Sequence, residues 1–227
     1  MKLSLNPIHR PTAAEAATSA LFNAIVDGRL APGTHLRLQD LAEKFELSMM
    51  PVREALRRLE HLGLVEVEPH RGAFVRPMSL EDVVATYETR FLIEGEAASL
   101  AAQRFTDDQR RVAQQALDER ARYLEAGDTE HARDAHERFH FAIYEAAANP
   151  WLVRSIMPVW RNAERYRLES MRHPELADQR AHEHDAILLA VVQGDSDTAR
   201  ERMVAHLRAS MELILTTYRP TTGESES

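Results

Sequence analysis

Residues 136–140 read His-Glu-Arg-Phe-His and match H-E-x-x-H, a pattern in which two helical histidines bind zinc and the intervening glutamate is the general base of a peptidase. The spacing puts His136 and His140 on one helical face whatever they do. A peptidase also needs a third ligand. The extended form of the motif requires glycine at 143 and histidine at 146, where the chain has Ile143 and Ala146. A downstream helical glutamate is the other arrangement; Glu164 is available, but "NAER" lacks the usual Asn-Glu adjacency. Glu137, about 100° around the helix from His136, is free to face a neighbour or water.

His184 and His206 offer a different completion. His140 and His136 lie 9 and 13 residues before Asn149-Pro150, while His184 lies 10 before Gly194 and His206 lies 12 after it. At a rise of about 1.5 Å per residue these offsets span roughly 13 to 20 Å, so antiparallel helices would bring all four to a similar height. Their faces agree: His184 shares a stripe with Ile187, Leu188 and Val191, His206 with Ala199, Met203, Ser210 and Leu213, and His140 with Ile143 and Ala147. One histidine in an apolar stripe is ordinarily a hydrogen-bonded core residue. Four at one level leave many polar atoms to satisfy, and a shared divalent metal would satisfy them. Zinc is the first expectation, with nickel or another transition metal also suited to imidazole. The remaining histidines considered, His9, His61, His70 and His173, read as tail, surface or turn residues.

The elements that must position these residues fall into two segments. A chain of 227 residues has room for two cores. It has no cysteine, which excludes disulfides and thiolate metal sites and fits a reducing cytosol. No secretory leader or spanning stretch is evident, so a cytoplasmic protein without a membrane partner is expected. The net charge of -8 argues against nucleic acid only until it is divided. Through Arg76 there are 10 Lys+Arg against 9 Asp+Glu, a net of +1, and the remainder has 18 against 27, a net of -9. The acidity belongs to the second segment.

The first segment, 11–77, changes structure often. A helix with Ala17, Leu21 and Ile25 inward ends at Asp27-Gly28, and "LRLQDLAEKFEL" gives a short one with Leu38, Leu41, Ala42 and Phe45 together. Ser48 is the expected N-cap of a third, with Pro51 in its first turn and Gly63 at its close. "LVEVEPHRGAFV" is then a hairpin turning at Pro69-His70-Arg71-Gly72. This is the order of a winged helix-turn-helix with a small β-hairpin wing. The second segment, 78–219, is helical throughout. It starts at a capping pattern on Ser79 and is punctuated near Thr106-Asp107, Gly127-Asp128, Asn149-Pro150, His173-Pro174 and Gly194-Asp195, which predicts an all-α, six-helix antiparallel bundle. The ends, through about Arg10 and from Pro220, read as frayed tails.

In a helix-turn-helix the start of the second helix reaches base edges while basic residues fix the frame on phosphates. Ser48, Met49, Met50 and Arg53 occupy that start, Arg57 and Arg58 follow one turn on, and Arg71 stands beside Gly72 at the wing tip. Each arginine alone would be an ordinary solvated charge. Together, "LAEKFELSMMPVREALRRLEHLGLVEVEPHRGAFV" resembles the GntR family of bacterial transcription regulators, in particular its FadR-like branch. The resemblance implies DNA contact by Ser48, Met49 and Arg53 and a wing contact by Arg71 and Gly72. Met49 stands where the family often has arginine. That shifts the expected readout toward Arg53, apolar contact with thymine methyls and DNA shape.

The second segment carries its own resemblance. "HERFHFAIYEAAANPWL" and "EHDAILLAVVQGDSDTARERMVAHL" are similar to two motifs of the FCD ligand-binding domain. That resemblance implies a divalent metal held by an aspartate and three histidines, which helps to hold a small carboxylate effector. His140, His184 and His206 match the three histidines, and His136 stands at the aspartate position. Four neutral imidazoles would leave a divalent ion near +2 rather than +1, which favours an anionic effector; they could equally complete a closed structural zinc site. Arg90 in "YETRFLIE" matches an arginine of the FCD pattern, with two roles open to it: a clamp on the effector carboxylate or an ion pair with Glu94. The expectation is a non-enzymatic, homodimeric regulator of a pseudo-palindromic double-stranded operator, acting as a repressor or activator under a small carboxylate effector. The alternatives are a zinc peptidase using residues 136–140 and a regulator with a purely structural metal.

Overall fold

The computed structural model describes residues 11–171 and 177–217. The expected tails and the turn at His173-Pro174 lie outside the described residues. The chain divides into two compact units, one ending at Pro77 and the other beginning at Met78.

The first unit opens with α1 (Ala13–Val26), started by a reciprocal capping box between Thr12 and Glu15. α1 ends as expected at Asp27, and Gly28 takes the left-handed turn at φ 74°. α2 (Leu38–Lys44) and α3 (Met49–His61) follow, then β2 (Val65–Glu68) and β3 (Gly72–Val75). The hairpin register pairs Glu68 with Gly72 and Val65 with Val75. The sheet also has a third strand that sequence did not suggest: β1 (His35–Leu36) pairs antiparallel with β3, giving the order β1-β3-β2. Leu36 therefore belongs to the sheet rather than to the second helix. Two residues are too few to display a period-2 pattern, and what fixes Leu36 is its burial, at 2% exposure, in the core formed with Leu21, Leu59, Leu64 and Val75.

Ser48 has the extended backbone of an N-cap, yet its side chain makes no capping bond. The third residue of the helix is Pro51, which has no N–H to donate, so one of the two usual partners is missing.

The second unit contains α4 (Leu80–Ala102), α5 (Asp107–Glu125), α6 (Thr129–Ala146), α7 (Pro150–Met171), α8 (Ala177–Val192) and α9 (Ser196–Thr217). Side chains hold the helix starts. Ser79 accepts from the Asp82 N–H at 3.1 Å, Thr106 and Gln109 form a full capping box, Asp128 accepts from the His131 N–H, and Asp195 from the Thr198 N–H. Asp82 turns its carboxylate into the bundle, where it accepts from the Tyr166 hydroxyl at 2.6 Å and the Asn162 amide at 3.0 Å. α4 lies along α9 and α7, and α5 packs on α6. Trp160, Tyr87, Tyr144, Tyr166 and Phe139 supply the bulk of a core that also holds Ile143, Ile187 and Met203. Trp160, Tyr144 and Phe139 lie against the histidines, so the histidine faces are set by burying an apolar stripe.

Candidate functional site

Two surfaces carry the residues of interest, one on each unit. On the first, α3 is strongly amphipathic. Val52, Ala55, Leu56 and Leu59 are buried, which turns Arg53 and Arg57, one turn apart, to the opposite side. Arg53 and Arg57 line a groove with His35, Arg37, Leu38, Val67 and Gly72, joining the recognition-type helix to the wing and the start of α2. Met49 and Met50 are 48% and 73% exposed at the start of α3, unusual for methionine, and Ser48 beside them is exposed. Arg58 is not part of this groove. Its guanidinium bonds Glu54 at 2.5 Å and lies 4.0 Å from Glu15 on α1. Arg71 is exposed at the wing, ion-paired with Glu68 and placed over Phe74. Gly72 has φ 97°, a conformation that requires glycine, and a Cβ there would stand 2.8 Å from His35 Nε2 and push that exposed ring aside.

On the second unit the four histidines meet. His136 and His140 come from α6, His184 from α8 and His206 from α9, and one potential ligand atom from each lies within 4.8 Å of all the others. All four side chains are buried, His140 completely. Trp160 of α7 stacks on His136 at 5.4 Å and Phe139 meets His184 edge-on at 5.2 Å. Burial pushes the pKa of each below the ordinary histidine range. Neighbouring charge adds to this: Arg167 at His136, and at His140 and His184 the repulsion that a second protonated histidine would meet, together with nearby arginines. At His206 burial outweighs the opposing pull of Glu183. The rings are therefore neutral at neutral pH, the form that binds metal.

Hydrogen bonds fix two tautomers. The Tyr144 hydroxyl donates to Glu94 at 2.5 Å, so at His140 Nδ1, 3.1 Å away, it accepts, and His140 carries its proton on Nδ1. His206 likewise donates from Nδ1 to Glu183 at 2.8 Å. Both rings thus turn an Nε2 lone pair inward, that of His140 accepting from His136 Nε2 at 3.2 Å. Buried His184 has no side-chain partner on either nitrogen; the Arg180 backbone one turn earlier is its hydrogen-bonding neighbour, which leaves the other nitrogen for the centre. His136 accepts from Arg167, whose Nη1 lies 2.6 Å from Nδ1 and 3.0 Å from Nε2, so a cation bound by His136 through either nitrogen would displace that arginine. Four buried imidazoles with ligand atoms within 4.8 Å of one another, two of them with oriented Nε2 atoms, form a donor set that fits a divalent transition metal once Arg167 leaves His136.

Arg90 does not line the cavity beside these histidines. It is 3% exposed, bonded to Glu94 at 2.5 and 3.1 Å, and held against the rings of Tyr87 and Trp160. This is the ion-pair alternative that the i, i+4 spacing allowed. Its role is visible one step away: Arg90 holds Glu94, Glu94 holds Tyr144, and Tyr144 sets His140. Neither glutamate needed by a peptidase joins the four histidines. Glu137 is bonded to Arg161 at 2.6 Å, and Glu164 is paired with Arg167 at 3.0 Å.

Comparison with known proteins agrees with both units. Residues 13–75 match the family described as bacterial regulatory proteins, gntR family, and residues 85–209 match the FCD domain. The HTH-type transcriptional regulator LutR of Bacillus subtilis (strain 168) is 33% identical over 219 residues, 86% of this chain and 97% of that one. A probable D-xylose utilization operon transcriptional repressor of Paenarthrobacter nicotinovorans is 30% identical, covering 95% of this chain and 91% of its own. The chain belongs to the GntR family of bacterial transcription regulators, with an FCD domain. Among solved structures, E. coli McbR/YncC shares the fold with a TM-score of 0.80 at 22% identity, covering 92% of this chain and all of that one.

For this GntR-family regulator, sequence reasoning missed two sets of residues. His35 and Arg37 join the groove of Arg53 and Gly72 only because β1 pairs with β3, a contact without a sequence signature. The second set is a group of arginines, Arg120, Arg133, Arg167 and Arg180, which line a cavity of about 30 Å³ together with His136, His184 and His206. They come from four helices, and no local motif links them. Among the described residues, no helix is long and apolar enough to cross a membrane.

Proposed function

We propose that this GntR-family protein is a FadR-like, metal-binding, effector-responsive repressor or activator that binds a pseudo-palindromic operator as a homodimer in the cytoplasm. His136, His140, His184 and His206 would hold the metal. When bound, it would supply positive charge and Lewis acidity toward a small carboxylate effector. The observation that carries this reading is the meeting of four buried, neutral imidazoles whose potential ligand atoms lie within 4.8 Å of one another, with His184 lacking any side-chain partner, an arrangement that is costly unless something shared completes it. Tyr144 and Glu183 support it by turning the Nε2 atoms of His140 and His206 inward. Arg90 serves through Glu94 and Tyr144; an effector reaching it directly would have to displace a buried ion pair.

On the DNA side, Arg53 and Arg57 with Met49, Met50 and Ser48 would meet the major groove, and Arg71 with Gly72 would carry the wing contact. Arg58, tied to Glu54, would act on the frame of α3 more than on DNA. Effector binding would shift helices of the second unit and with them operator affinity. A purely structural metal is the second reading, favoured by four nitrogens being enough to close a tetrahedral zinc site. Fluorescence anisotropy on an operator selected from random DNA tests the proposal. Affinity that responds to small carboxylates in zinc-loaded protein, but not in chelator-treated protein, supports the effector reading. A response to chelation alone favours the structural metal.

A further inference from the structure

The hydrogen bonds at the histidine centre form a chain with one direction. Tyr144 donates to Glu94, so His140 donates from Nδ1 to Tyr144 and keeps its lone pair on Nε2. That lone pair faces His136 Nε2 at 3.2 Å, which makes Nε2 the protonated nitrogen of His136. The lone pair of His136 is then on Nδ1, and Arg167 of α7 donates to it from Nη1 at 2.6 Å. Two of the four imidazoles are thus engaged, His140 by its neighbour and His136 by a guanidinium.

A metal ion cannot share His136 with that arginine. Binding through Nδ1 takes the lone pair that Arg167 uses. Binding through Nε2 moves the ring proton to Nδ1, where it would meet a guanidinium N–H head-on, and Nη1 stands only 3.0 Å from Nε2 as well. Both routes expel Arg167. A place for it exists, because its Nε lies 3.0 Å from the buried carboxylate of Glu164, one turn back on the same helix. Pivoting on that ion pair, the guanidinium leaves His136 without becoming a stranded buried charge. We propose that Arg167 is a built-in stand-in for the metal: cation and arginine exchange at His136, and Arg167 sets how tightly the centre holds metal. This rests on the metal reading given above. It makes the metal one that the folded chain gains and loses, since the arginine occupies His136 whenever the metal does not.

Zinc affinity of the full-length chain, by competition with a chelating dye, tests this. Arg167→Met removes the donor and keeps an apolar stem. Loss of a charge-assisted hydrogen bond that the metal must otherwise break predicts zinc binding about 10- to 100-fold tighter than in wild type. Glu164 loses its partner with and without zinc, so that cost appears in Tm and not in the affinity ratio. Arg120→Met removes a positive charge from the same cavity wall and is the control for charge alone, with a much smaller gain expected. Arg167→Met binding zinc no more tightly than wild type overturns the inference, and so does an equal gain in Arg120→Met. A crystal structure of zinc-loaded wild type reads the exchange even if the variant fails to fold. Arg167 is expected to be beyond hydrogen-bond distance of both His136 nitrogens and still on Glu164. Zinc held by the other three histidines with Arg167 still on His136 overturns the inference and leaves a metal site standing. If zinc binds neither wild type nor Arg167→Met, the metal reading falls and this inference with it.

Discussion

Removing one hydroxyl, Tyr144→Phe, tests whether the second helical unit orients its histidines for a metal. The oxygen accepts from His140 Nδ1 at 3.1 Å and donates to Glu94 at 2.5 Å in a site closed to water. Without it, His140 Nδ1 loses its acceptor and Glu94 keeps only Arg90 among these partners. Each buried polar group left unsatisfied costs about 1 to 3 kcal/mol, so the metal-free protein should lose roughly 2 to 4 kcal/mol once Arg90's continued hold on Glu94 is allowed for. For a unit of this size about 1 kcal/mol moves Tm by 2 to 4 °C, which gives a fall of roughly 5 to 15 °C. The His140 tautomer is also released, and loss of a partner behind a metal-ligating histidine typically weakens metal affinity by about 10- to 100-fold. Zinc affinity by competition with a chelating dye and Tm by calorimetry read the two effects separately. Tyr166→Phe is the control. It removes a hydroxyl from Asp82, elsewhere in the same unit, and should lower Tm without weakening zinc. Equal zinc affinity in wild type and Tyr144→Phe would refute the orienting role.

The first unit and the proton balance give three more outcomes. Arg53→Ala should cost about 1 to 3 kcal/mol of operator binding by anisotropy, whereas Arg58→Ala, whose side chain is held by Glu54, should cost much less; equal losses would contradict the division of α3 into two faces. Gly72→Ala should destabilise the wing by about 1 to 3 kcal/mol, because φ is 97° and the new Cβ would meet His35, and operator affinity should fall even though no charge is lost. In metal-free protein the four histidine pKa values are depressed on folding, so the unfolded chain protonates first. Their stabilising contribution is complete above about pH 6.5 and falls below it by roughly 1.4 kcal/mol per pH unit for each histidine until the folded state also protonates. Urea unfolding between about pH 7.5 and 5 reads that slope, and a flat profile would mean the rings are not held neutral.

How much of this was legible in the sequence depended on whether the signal was local. Turns at Gly127-Asp128, Asn149-Pro150 and Gly194-Asp195 are written in residues that cap or close helices, and they fall at element boundaries. Those turns gave the helix register, and the register was enough to suggest that His136, His140, His184 and His206 share a level. Ser48 was legible as a helix start but not as a residue whose hydroxyl makes no cap, because that depends on Pro51 three positions later. The extra strand at His35 and Leu36 is too short for any pattern to show. Arg90 carried two readings of equal local support, and what local sequence could not show is its burial against the rings of Tyr87 and Trp160 while bonded to Glu94. The arginines around the histidine centre were invisible for a similar reason. Which face of α5 or α7 looks inward depends on how helices far apart in sequence pack.

The central claim, a metal held between helices by four histidines, is most directly tested by elemental analysis of wild type, His184→Ala, His206→Ala and Glu137→Gln, purified side by side and shown to be folded. The account predicts close to one transition-metal ion per chain in wild type and Glu137→Gln, and loss of it in both histidine variants. Metal retained without His184 and His206 but lost or made inactive by Glu137→Gln would contradict it and return residues 136–140 to peptidase chemistry.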